Sequence, residues 1–354
     1  MPVARPLFSI CIPQWERLPF LLAALDSVTA QTLRDFEICV SDDRSPSGGQ
    51  ERIVEQLERA GVDYAVAVMC KNGRYDVNLR SAIGLSRGQY IFLLGNDDAL
   101  KDVRVLERCR DLLAQHPNVG AAFCNHEDFA TGRVNRTTPA TANRGHGVGV
   151  AVANYRNFAF VSGVLFDGDQ ARALATDAYD GTEMYQIHLA SSIVASGRDL
   201  LAIDDVMIRK DIRIAGERVE SYVTNAAKEK DVIAERRMPV ALLGQLVCNS
   251  VAPYMAPGTR DRWIRKVFRQ LYLFIYGYWF VEYRRVKSWK FTVGMMLGVR
   301  PSRSLKPLKP GLYTRVSLGA LFACVAVAAL LTPIRLFDSA RPALYRLAKR
   351  QPAH

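Results

Sequence analysis

The sequence predicts an α/β fold in which a mostly parallel sheet is flanked by helices, followed by a C-terminal helical extension. Short apolar runs alternate with segments of helical periodicity, which is typical of a parallel sheet. Two of these runs end abruptly in pairs of aspartates. Cations and aromatic side chains concentrate after residue 260, and this change predicts the extension. Of the 354 residues, we expect 1–240 to form the α/β domain and 241–354 the helical region.

The apolar pattern predicts the elements of the first domain in order. Runs of four to seven apolar residues predict strands, and apolar residues spaced three or four apart predict helices. The predicted elements are strand 8–13, helix 18–30, strand 36–41, helix 50–60, strand 64–68, helix 77–85, an apolar run ending at Leu94, and strand 119–124. The polar stretch 131–148 shows no periodicity, so we expect it to be a loop.

Carboxylates follow two of these strands at the point where each strand ends. Asp42 and Asp43 follow strand 36–41, and Asp97 and Asp98 follow the run that ends at Leu94. Open α/β sheets bind ligands at the carboxyl ends of their strands. Adjacent carboxylates repel unless a cation or hydrogen-bond donors lie between them, and Mg²⁺ prefers carboxylate and diphosphate oxygens. For an isolated pair, a solvated Asp-Asp turn is the alternative.

The order of these motifs resembles the family-2 glycosyltransferases, which use nucleotide sugars and have the GT-A fold. Five motifs over about a hundred residues carry the resemblance: Ser9–Pro13; Ala24–Val28 with Gln31–Leu33; Phe36–Ser45; Asn72, Gly73, Asn78 and Ala82; and Gly88–Ile91 with Asn96–Asp98. In that family the first acidic pair, here Asp42 and Asp43, contacts the base and ribose of the donor. A carboxylate suits this task because it accepts hydrogen bonds from a pyrimidine N–H and from ribose hydroxyls.

The resemblance implies further donor contacts. The residues that it marks as nucleotide-sugar-binding, besides Asp42 and Asp43, are Pro13, Trp15, Asn72, Asn78 and Asp97. The family commonly reads Pro-Thr-Tyr-Asn-Arg where this chain has the segment 13–17, Pro-Gln-Trp-Glu-Arg. We therefore expect Trp15 to offer an aromatic face to the base, with ordinary loop packing as the alternative.

The resemblance also implies a divalent metal, Mg²⁺ or Mn²⁺, on the donor diphosphate. The family's metal motif is Asp-x-Asp or Asp-x-Asp-Asp, but this chain has Gly95 at the first acidic position and Asn96 at the next. We expect Asp98 to be the direct metal ligand, with Asp97 as a second ligand or a ribose contact, and the reverse order is open. Such a metal stabilises the negative charge on a departing nucleoside diphosphate.

An inverting displacement needs a base that takes the proton from the acceptor hydroxyl. In related enzymes this base is an Asp or Glu near the start of a helix, about eighty residues beyond the metal motif, and the segment 180–189 has that position here. We expect Glu183 to be the catalytic base, although its neighbour Met184 is often acidic in the family. Asp180 and His188 are the alternatives. Glu183 is also the kind of carboxylate that stabilises a helix N-terminus.

The C-terminal region differs in charge from the rest of the chain. From Arg260 onward the net charge is +16, whereas residues 1–259 sum to −4. Basic and aromatic side chains on amphipathic helices suit an anionic membrane surface. We expect no nucleic-acid partner, because no nucleic-acid-binding signature accompanies them. The uncharged segment 316–334 is long enough to cross a hydrocarbon layer of about 30 Å. A hairpin, an in-plane helix and a buried helix are the alternatives.

These observations predict a glycosyltransferase at the cytoplasmic face of a membrane. It would transfer one sugar from a nucleotide-diphosphate sugar to an acceptor hydroxyl, on a saccharide or a lipid-linked saccharide, in cell-surface polysaccharide synthesis. Processive relatives carry Gln-x-x-Arg-Trp, and the segment 259–263 lacks the Gln. A catalytically inactive nucleotide-sugar-binding or scaffold protein of the same fold is the alternative. A nucleotidyltransferase is less favoured, because residues 8–20 lack a Gly-rich basic phosphate-binding signature.

Overall fold

A computed structural model describes residues 5–217 and 239–349, which fall into two compact units. The first unit comprises residues 5–151 and 155–217, and the second comprises 152–154 and 239–349. Residues 218–238 lie outside the described residues. The predicted domain boundary between 240 and 241 follows directly on this segment and stays a prediction.

The first unit is built on one ten-stranded sheet. Its strands are β1 (Phe8–Gln14), β2 (Phe36–Asp42), β3 (Asp63–Val68), β4 (Tyr90–Leu93), β5 (Ala99–Leu100), β6 (Val119–Asp128), β7 (Val134–Asn135), β8 (Ala142–Asn143), β9 (Val164–Asp167) and β10 (Asp199–Lys210). Its helices are α1 (Leu18–Thr29), α2 (Gln50–Ala60), α3 (Arg74–Gly84), α4 (Val105–Gln115), α5 (Val148–Asn154), α6 (Gly168–Ala173) and α7 (Tyr185–Ala195), of which α5 extends into residues of the second unit.

The sheet order places β1 between β2 and β4. The order is β3-β2-β1-β4-β9-β6-β10-β5, with β7 paired to β6 and β8 paired to β10. Strands β1 to β4 are parallel to one another, β6 is parallel to β10, and β9 runs antiparallel between β4 and β6. The carboxyl ends of β2, β1 and β4 are therefore neighbours. The α/β prediction is confirmed.

Apolar residues of the central strands form the core of this unit. β1 and β2 are buried on both faces, as expected for parallel strands covered by helices. The side chains of Phe8, Ile10, Ile38 and Phe92 are inaccessible to solvent. Each such side chain stabilises the fold by roughly 1.5–3 kcal/mol through burial. Helix α1 adds five buried residues with helical spacing: Phe20, Leu21, Ala24, Leu25 and Val28.

Most predicted elements of this unit agree with the observed ones, and the differences have local causes. Helix α2 has the predicted bounds and ends before Gly61, whose φ of 61° suits a C-terminal cap. The prediction of a loop over 131–148 is wrong at β7 and β8. The Asn125 side chain holds this segment, because its Oδ1 accepts from the backbone N–H groups of Thr137 and Thr138 at 2.6 and 3.0 Å.

The second unit is helical in its described part, as predicted for the C-terminal extension. Its helices are α8 (Leu243–Val251), α9 (Arg260–Gln270), α10 (Gly277–Val286), α11 (Trp289–Val299), α12 (Pro301–Ser304), α13 (Leu312–Leu331) and α14 (Ile334–Lys349). The π-helical segment Leu271–Tyr276 joins α9 to α10, so residues 260–286 form one continuous helix. Among the described helices, α13 is the one whose length and apolar composition would allow it to cross a membrane.

Gly163, which precedes β9, gives a test of this architecture. Its φ is +82°, and a Cβ there would lie 2.3 Å from Cys124 Sγ. We expect Gly163→Ala to lower the free energy of unfolding by about 3 kcal/mol or more, because the strained backbone and the steric clash add. Denaturant unfolding measures the effect.

Gly132 is the matched control for Gly163, since its φ is +65° and a Cβ there would meet nothing within 4 Å. Gly132→Ala should cost only the backbone strain of about 1–2 kcal/mol. Equal losses in the two variants would contradict the packing of β9 against β6.

Candidate active site at the carboxyl edge of the sheet

Gln14, the last residue of β1, ties together the carboxyl ends of three strands. Its side-chain Oε1 accepts from Asn96 Nδ2 at 2.7 Å, beyond the end of β4. Its backbone carbonyl accepts from the Asp43 N–H at 2.8 Å, beyond β2, and from Asn78 Nδ2 at 2.9 Å, on α3. Gln14 is 1% exposed, so these bonds are sheltered from water. The loops at the sheet edge are thus fixed to one another.

The first acidic pair braces the loops that follow β2 and β3. Asp43 accepts from the N–H groups of Gly73 and Arg74 at 2.6 and 2.8 Å, one to each carboxylate oxygen. Asp42 Oδ1 accepts from the Ser45 N–H at 2.6 Å. Burial raises the pKa of Asp43, while the two backbone donors oppose this shift. Both carboxylates are buried, so any donor contact adds to bonds that they already make.

The other expected donor residues differ in their accessibility. Trp15 is 52% exposed in the loop between β1 and α1, and Asn72 is also exposed. Pro13 is half-buried at the end of β1. Asn78 is buried and holds the Gln14 carbonyl, while its Oδ1 accepts no hydrogen bond from the described part of the chain. The burial of Asn78 favours a role in positioning β1 from beneath the site.

The second acidic pair lies in a cluster that distant segments complete. Asp97 Oδ2 is 2.5 Å from Arg17 Nη1. Asp98 Oδ2 accepts from Ser162 Oγ at 2.5 Å, and Asp98 Oδ1 accepts from the Asp211 N–H at 2.9 Å. The loop after β4 is therefore anchored both to the segment before β9 and to the end of β10.

Negative charge accumulates in this cluster. Burial, together with the nearby Asp97 and Asp211 carboxylates, raises the pKa of Asp98 to about 7. Burial also raises the pKa of Asp97, although the Arg17 guanidinium opposes that shift. The raised pKa values mean that burial and the neighbouring carboxylates disfavour the ionised forms. A cation bound here would stabilise them.

Gly95 has no side chain at the family's first acidic position, so the neutral Ser162 hydroxyl lies beside Asp98 there. A Cβ at Gly95 would lie 3.2 Å from Asp98 Oδ2, 3.4 Å from Asp97 Oδ1 and 3.1 Å from Ser162 Oγ. A carboxylate at this position would add a third negative group to the pair. Instead, the Gly95 N–H donates to Ser162 Oγ at 2.8 Å, and that hydroxyl donates to Asp98.

The donor set suits a hard divalent ion that takes part of its coordination from a ligand. Within residues 5–217 and 239–349, no group of three His, Cys, Asp or Glu side chains could hold a metal by itself. The Asp97 side chain is 25% exposed, whereas Asp98 is 4% exposed and both of its oxygens accept hydrogen bonds. This geometry favours Asp97 as the direct ligand, the reverse of the order first expected. Diphosphate oxygens commonly complete such a site.

Glu183 lies on a short segment that Asp76 holds. Asp76, in the first turn of α3, accepts from the N–H groups of Glu183 and Tyr185 at 2.8 and 3.1 Å. Asp76 is 1% exposed, and burial raises its pKa. Glu183 is half-buried, with a φ of +56°, two residues before α7 begins. A non-glycine residue keeps this conformation only where its surroundings enforce it.

The two alternatives to Glu183 have structural partners. Asp180 Oδ2 pairs with Arg80 Nη2 at 3.0 Å. His188 is buried, with Nε2 3.2 Å from the Leu174 carbonyl oxygen and its ring centroid 4.4 Å from that of Tyr179. Burial lowers the pKa of His188 to about 4, so the ring is neutral at pH 7. Both side chains therefore already have partners within the fold.

Backbone strain concentrates at this edge of the sheet. The described residues of the first unit include six non-glycine residues with positive φ, five in loops that border the site and one, Arg74, at the start of α3: Glu16, Arg17, Arg44, Arg74, Glu183 and Asp211. Strained backbone of this kind gathers at ligand sites, where a required side-chain position outweighs a cost of about 1–3 kcal/mol each.

Sequence reasoning missed several residues of this site. Gln14 and Arg17 were quoted only as part of a loop motif, and no role was given to Asp76, Ser162 or Asp211. The position of Gln14 directly after Pro13, at the end of a predicted strand, was a usable signal. Ser162 and Asp211 gave none, because their link to Asp98 spans 64 and 113 residues.

Comparison with known proteins gives a family match within the first unit. The family model described as glycosyl transferase family 2 matches residues 9–163, a range that contains all of β1 except its first residue, the acidic pairs and Ser162. The matched segment is less than half of the chain, and it identifies a glycosyltransferase family 2 domain there. Glu183 and Asp211 lie beyond the matched range, so their positions are known from the structure alone.

Curated relatives match this chain over part of their length. Abequosyltransferase RfbV of Salmonella typhimurium is 32% identical over 96 residues, which are 27% of this chain and 29% of that protein. A PGL/p-HBAD biosynthesis glycosyltransferase of Mycobacterium tuberculosis is 29% identical over 114 residues, which are 32% of this chain and 44% of that protein. The aligned segments thus span less than half of these relatives.

Solved structures support the GT-A-type fold over most of the chain. TarS residues 1–349 of S. aureus, in complex with UDP-GlcNAc, align with a TM-score of 0.62 at 12% identity, covering 91% of this chain and 90% of that one. The mannosyltransferase PcManGT of Pyrobaculum calidifontis, in complex with GDP-Man and Mn²⁺, aligns with a TM-score of 0.52 at 17% identity, covering 93% and 88%. At such identities the likeness concerns the fold.

The buried, neutral His188 predicts a pH-dependent stability term. Its pKa in the folded state, about 4, is below the unfolded value near 6.5, so acidification favours the unfolded state. Between pH 7.5 and pH 5 the wild type should lose about 2 kcal/mol that His188→Gln does not lose. Denaturant unfolding of both proteins at the two pH values, with chelator present, measures this difference.

His116→Gln, at a half-exposed histidine, is the matched control and should follow the wild type. If His188→Gln shows the same pH dependence as the wild type, His188 does not stay neutral in the folded protein.

Proposed function

We propose that this protein is an inverting glycosyltransferase that moves one sugar from a nucleotide-diphosphate sugar to an acceptor hydroxyl. The observation that carries the proposal is the sheet edge, where Gln14 joins the loops after β2 and β4 and thereby fixes both acidic pairs. The family match over residues 9–163 supports the same activity, and two of the structural neighbours were solved with UDP-GlcNAc or GDP-Man.

The donor nucleotide fits the half of the edge formed by β1 and β2. Trp15 is a half-exposed aromatic side chain that can stack on a base, and its neighbour Glu16 is fixed by an N–H bond of 2.7 Å to Ser45 Oγ. Asp42 and Asp43 line the adjacent loop, with Asn72 exposed beside them. In this proposal Asn78 acts beneath the site by holding β1.

A divalent ion, Mg²⁺ or Mn²⁺, fits the acidic cluster and would neutralise the leaving diphosphate. Asp97 would hold it through its accessible carboxylate, and Asp98 would hold the loop through Ser162 and Asp211. Arg17, 2.5 Å from Asp97 Oδ2, fixes the orientation of that carboxylate. The PcManGT complex contains Mn²⁺. Ribose contact by the remaining aspartate oxygens is compatible with this placement.

Glu183 is the proposed general base. A base must reach the acceptor hydroxyl proton while the hydroxyl oxygen attacks the anomeric carbon from the side opposite the diphosphate. Asp76 binds the backbone N–H groups on both sides of Met184, so the backbone from which the Glu183 side chain extends is held in place. The proton would move to a Glu183 carboxylate oxygen as the glycosidic bond forms and the bond to the diphosphate breaks.

The acceptor is proposed to be a saccharide, or a lipid-linked saccharide at the cytoplasmic face of a membrane. The apolar helix α13 and the +16 charge of residues 260–354 support this location. The names of the relatives, one an abequosyltransferase and one a glycosyltransferase of PGL biosynthesis, support polysaccharide or glycolipid assembly as the setting.

Turnover of a panel of UDP-, GDP-, dTDP- and CDP-sugars, followed by mass spectrometry with Mg²⁺ or Mn²⁺ and with chelator, tests the function. We expect one donor to turn over in a metal-dependent way. Glu183→Gln should bind that donor but lose roughly 10²–10⁴-fold in rate. Asp97→Asn should lose metal dependence and most of the turnover, because the leaving group is then not neutralised.

Matched substitutions away from the site control for general damage. Glu107→Gln and Asp102→Asn remove charges that pair with Arg104 and Arg108, and both variants should keep wild-type turnover. If the wild-type protein binds a donor but turns none over, even with membrane extract as acceptor, the inactive binding protein becomes the better interpretation.

The bonds between Asp76 and the Glu183 segment make a separate prediction. Asp76→Asn leaves one acceptor oxygen for two backbone N–H groups, so the Glu183 segment should lose its fixed position. We expect kcat to fall about tenfold while the donor Kd is unchanged, since a misplaced catalytic group lowers the chemical step. Steady-state kinetics and calorimetry measure the two quantities.

Asp180→Asn disturbs the same segment through Arg80 without touching the Glu183 backbone, and it serves as the control. Equal effects of Asp76→Asn and Asp180→Asn on kcat would indicate a general loosening of the segment, and the specific role of Asp76 would then be wrong.

A further inference from the structure

Helix α13 has an outward face that is apolar over its whole length. Exposed residues recur every three or four positions, so they form one stripe along the helix: Leu312, Val316, Ala320, Ala323, Val327 and Leu331. Thr314, Leu318 and Ala329 are buried on the opposite side. A helix on the surface of a water-soluble protein normally turns polar side chains outward. We therefore expect an apolar surface to bind this stripe and remove it from water.

Polar contacts fix the N-terminal end of α13 to α9. Thr314 Oγ1 donates to Asp261 Oδ2 at 2.8 Å and accepts from Arg265 Nη1 at 2.7 Å. The Gly311 N–H donates to the same Asp261 oxygen at 2.9 Å. These bonds place the start of α13 beside the start of the continuous helix 260–286.

A guanidinium fixes the C-terminal end of α13 to α10. Arg284 donates to the last backbone carbonyls of α13 and the residue after it, those of Ala329 (2.8 Å), Leu330 and Thr332. Carbonyls at the end of a helix have no intrahelical donor, so Arg284 serves as their cap. With both ends held, α13 lies parallel to helix 260–286 and shares its orientation in any membrane.

The charges of helix 260–286 decide that orientation. Its longest uncharged stretch, residues 270–281, contains 12 residues, or about 18 Å of helix. A hydrocarbon layer is about 30 Å thick. If α13 crossed the layer, its partner helix would carry Arg269 and Glu282 into hydrocarbon, which is costly for charged side chains. An orientation in the plane of the surface avoids this cost.

Charge also selects a lipid surface over a second copy of this chain as the cover. Residues 260–354 carry a net charge of +16, so two such surfaces repel each other, whereas anionic headgroups attract them. Aromatic side chains lie at both ends of α13, as is typical of interfacial positions. Tyr313 lies 5.2 Å from the Arg265 guanidinium, and Trp289 lies 5.4 Å from that of Arg284.

We propose that α13 binds an anionic membrane surface as an in-plane helix, with its outward stripe in the acyl region and its ends at headgroup depth. This proposal specifies how the protein lies at the membrane, and it rests on the membrane location proposed above. The lipid surface itself covers the apolar stripe of α13. The acceptor need not take part, so the binding is measurable without any sugar transfer.

Cys324 provides a depth probe on the exposed side of α13. The other six cysteines comprise Cys70, which is exposed, and five that are buried. In a Cys70→Ser protein, Cys324 carries an environment-sensitive fluorophore, and vesicles of phosphatidylcholine and phosphatidylglycerol carry nitroxides at shallow or deep acyl positions. An in-plane helix lies about 5–10 Å into the headgroup–acyl boundary, so shallow nitroxides should quench more strongly. Stronger quenching by deep nitroxides, or no response to vesicles, would overturn the proposal.

Val327→Glu tests the stripe without a label. Val327 is 54% exposed on α13, and Val103, in the first unit, is 46% exposed, so Val103→Glu is the matched control. We expect Val327→Glu to weaken binding to the anionic vesicles about tenfold and Val103→Glu to leave it unchanged. Equal binding by the two variants would contradict the proposal. A vesicle-free oligomer that Val327→Glu dissociates would show that a second copy covers the stripe.

Donor hydrolysis in solution separates this proposal from the proposed function. Val327→Glu should hydrolyse the donor at the wild-type rate, since α13 contains none of the site residues. Loss of vesicle binding with normal hydrolysis supports the in-plane helix. If the protein binds vesicles but turns over no donor, the in-plane helix is supported and only the proposed glycosyltransferase activity is contradicted.

Discussion

The site depends on the hydrogen bonds that Gln14 and α3 make beneath the sheet edge. Gln14 holds the loop after β2 through Asp43 and the loop after β4 through Asn96. Helix α3 supports both, because Asn78 holds Gln14 and the backbone at the start of α3 binds Asp43. The same helix carries Asp76, which holds the Glu183 segment. Proposed donor, metal and base residues therefore share one rigid support, as preorganised catalysis requires.

The carboxylates of the acidic cluster repel one another, and neighbouring groups relieve only part of this repulsion. Gly95 removes the negative charge that the family usually carries at this position, and Ser162 supplies a neutral donor in its place. Even so, burial and the neighbouring carboxylates raise the pKa of Asp98 to about 7. Arg17 and Lys210 contact Asp97 and Asp211, and they offset only part of the charge. Fewer carboxylates should bind a metal more weakly, which places more of the coordination on the donor diphosphate.

Local signals were sufficient to predict the strands, most helices and the two acidic pairs. The apolar run before Asp97 and the helix 50–60 depend on residues close in sequence, and such patterns predict elements well. The bracing of Asp98 by Ser162 and Asp211 depends on strand order, which no local pattern encodes. The same holds for Asp76, since its partner Glu183 lies 107 residues further along the chain. The burial of Asn78 could not be predicted either, because a polar residue early in a helix usually faces solvent.

The bracing of Asp98 has a consequence for synthesis on the ribosome. β1, β2 and β4 leave the ribosome first, but Asp98 finds its second donor only when residue 211 is available. A nascent chain that ends before β10 contains the matched family segment but lacks the Asp211 N–H that holds Asp98. A donor that binds through the proposed metal cluster would therefore stabilise the finished domain more than the emerging one.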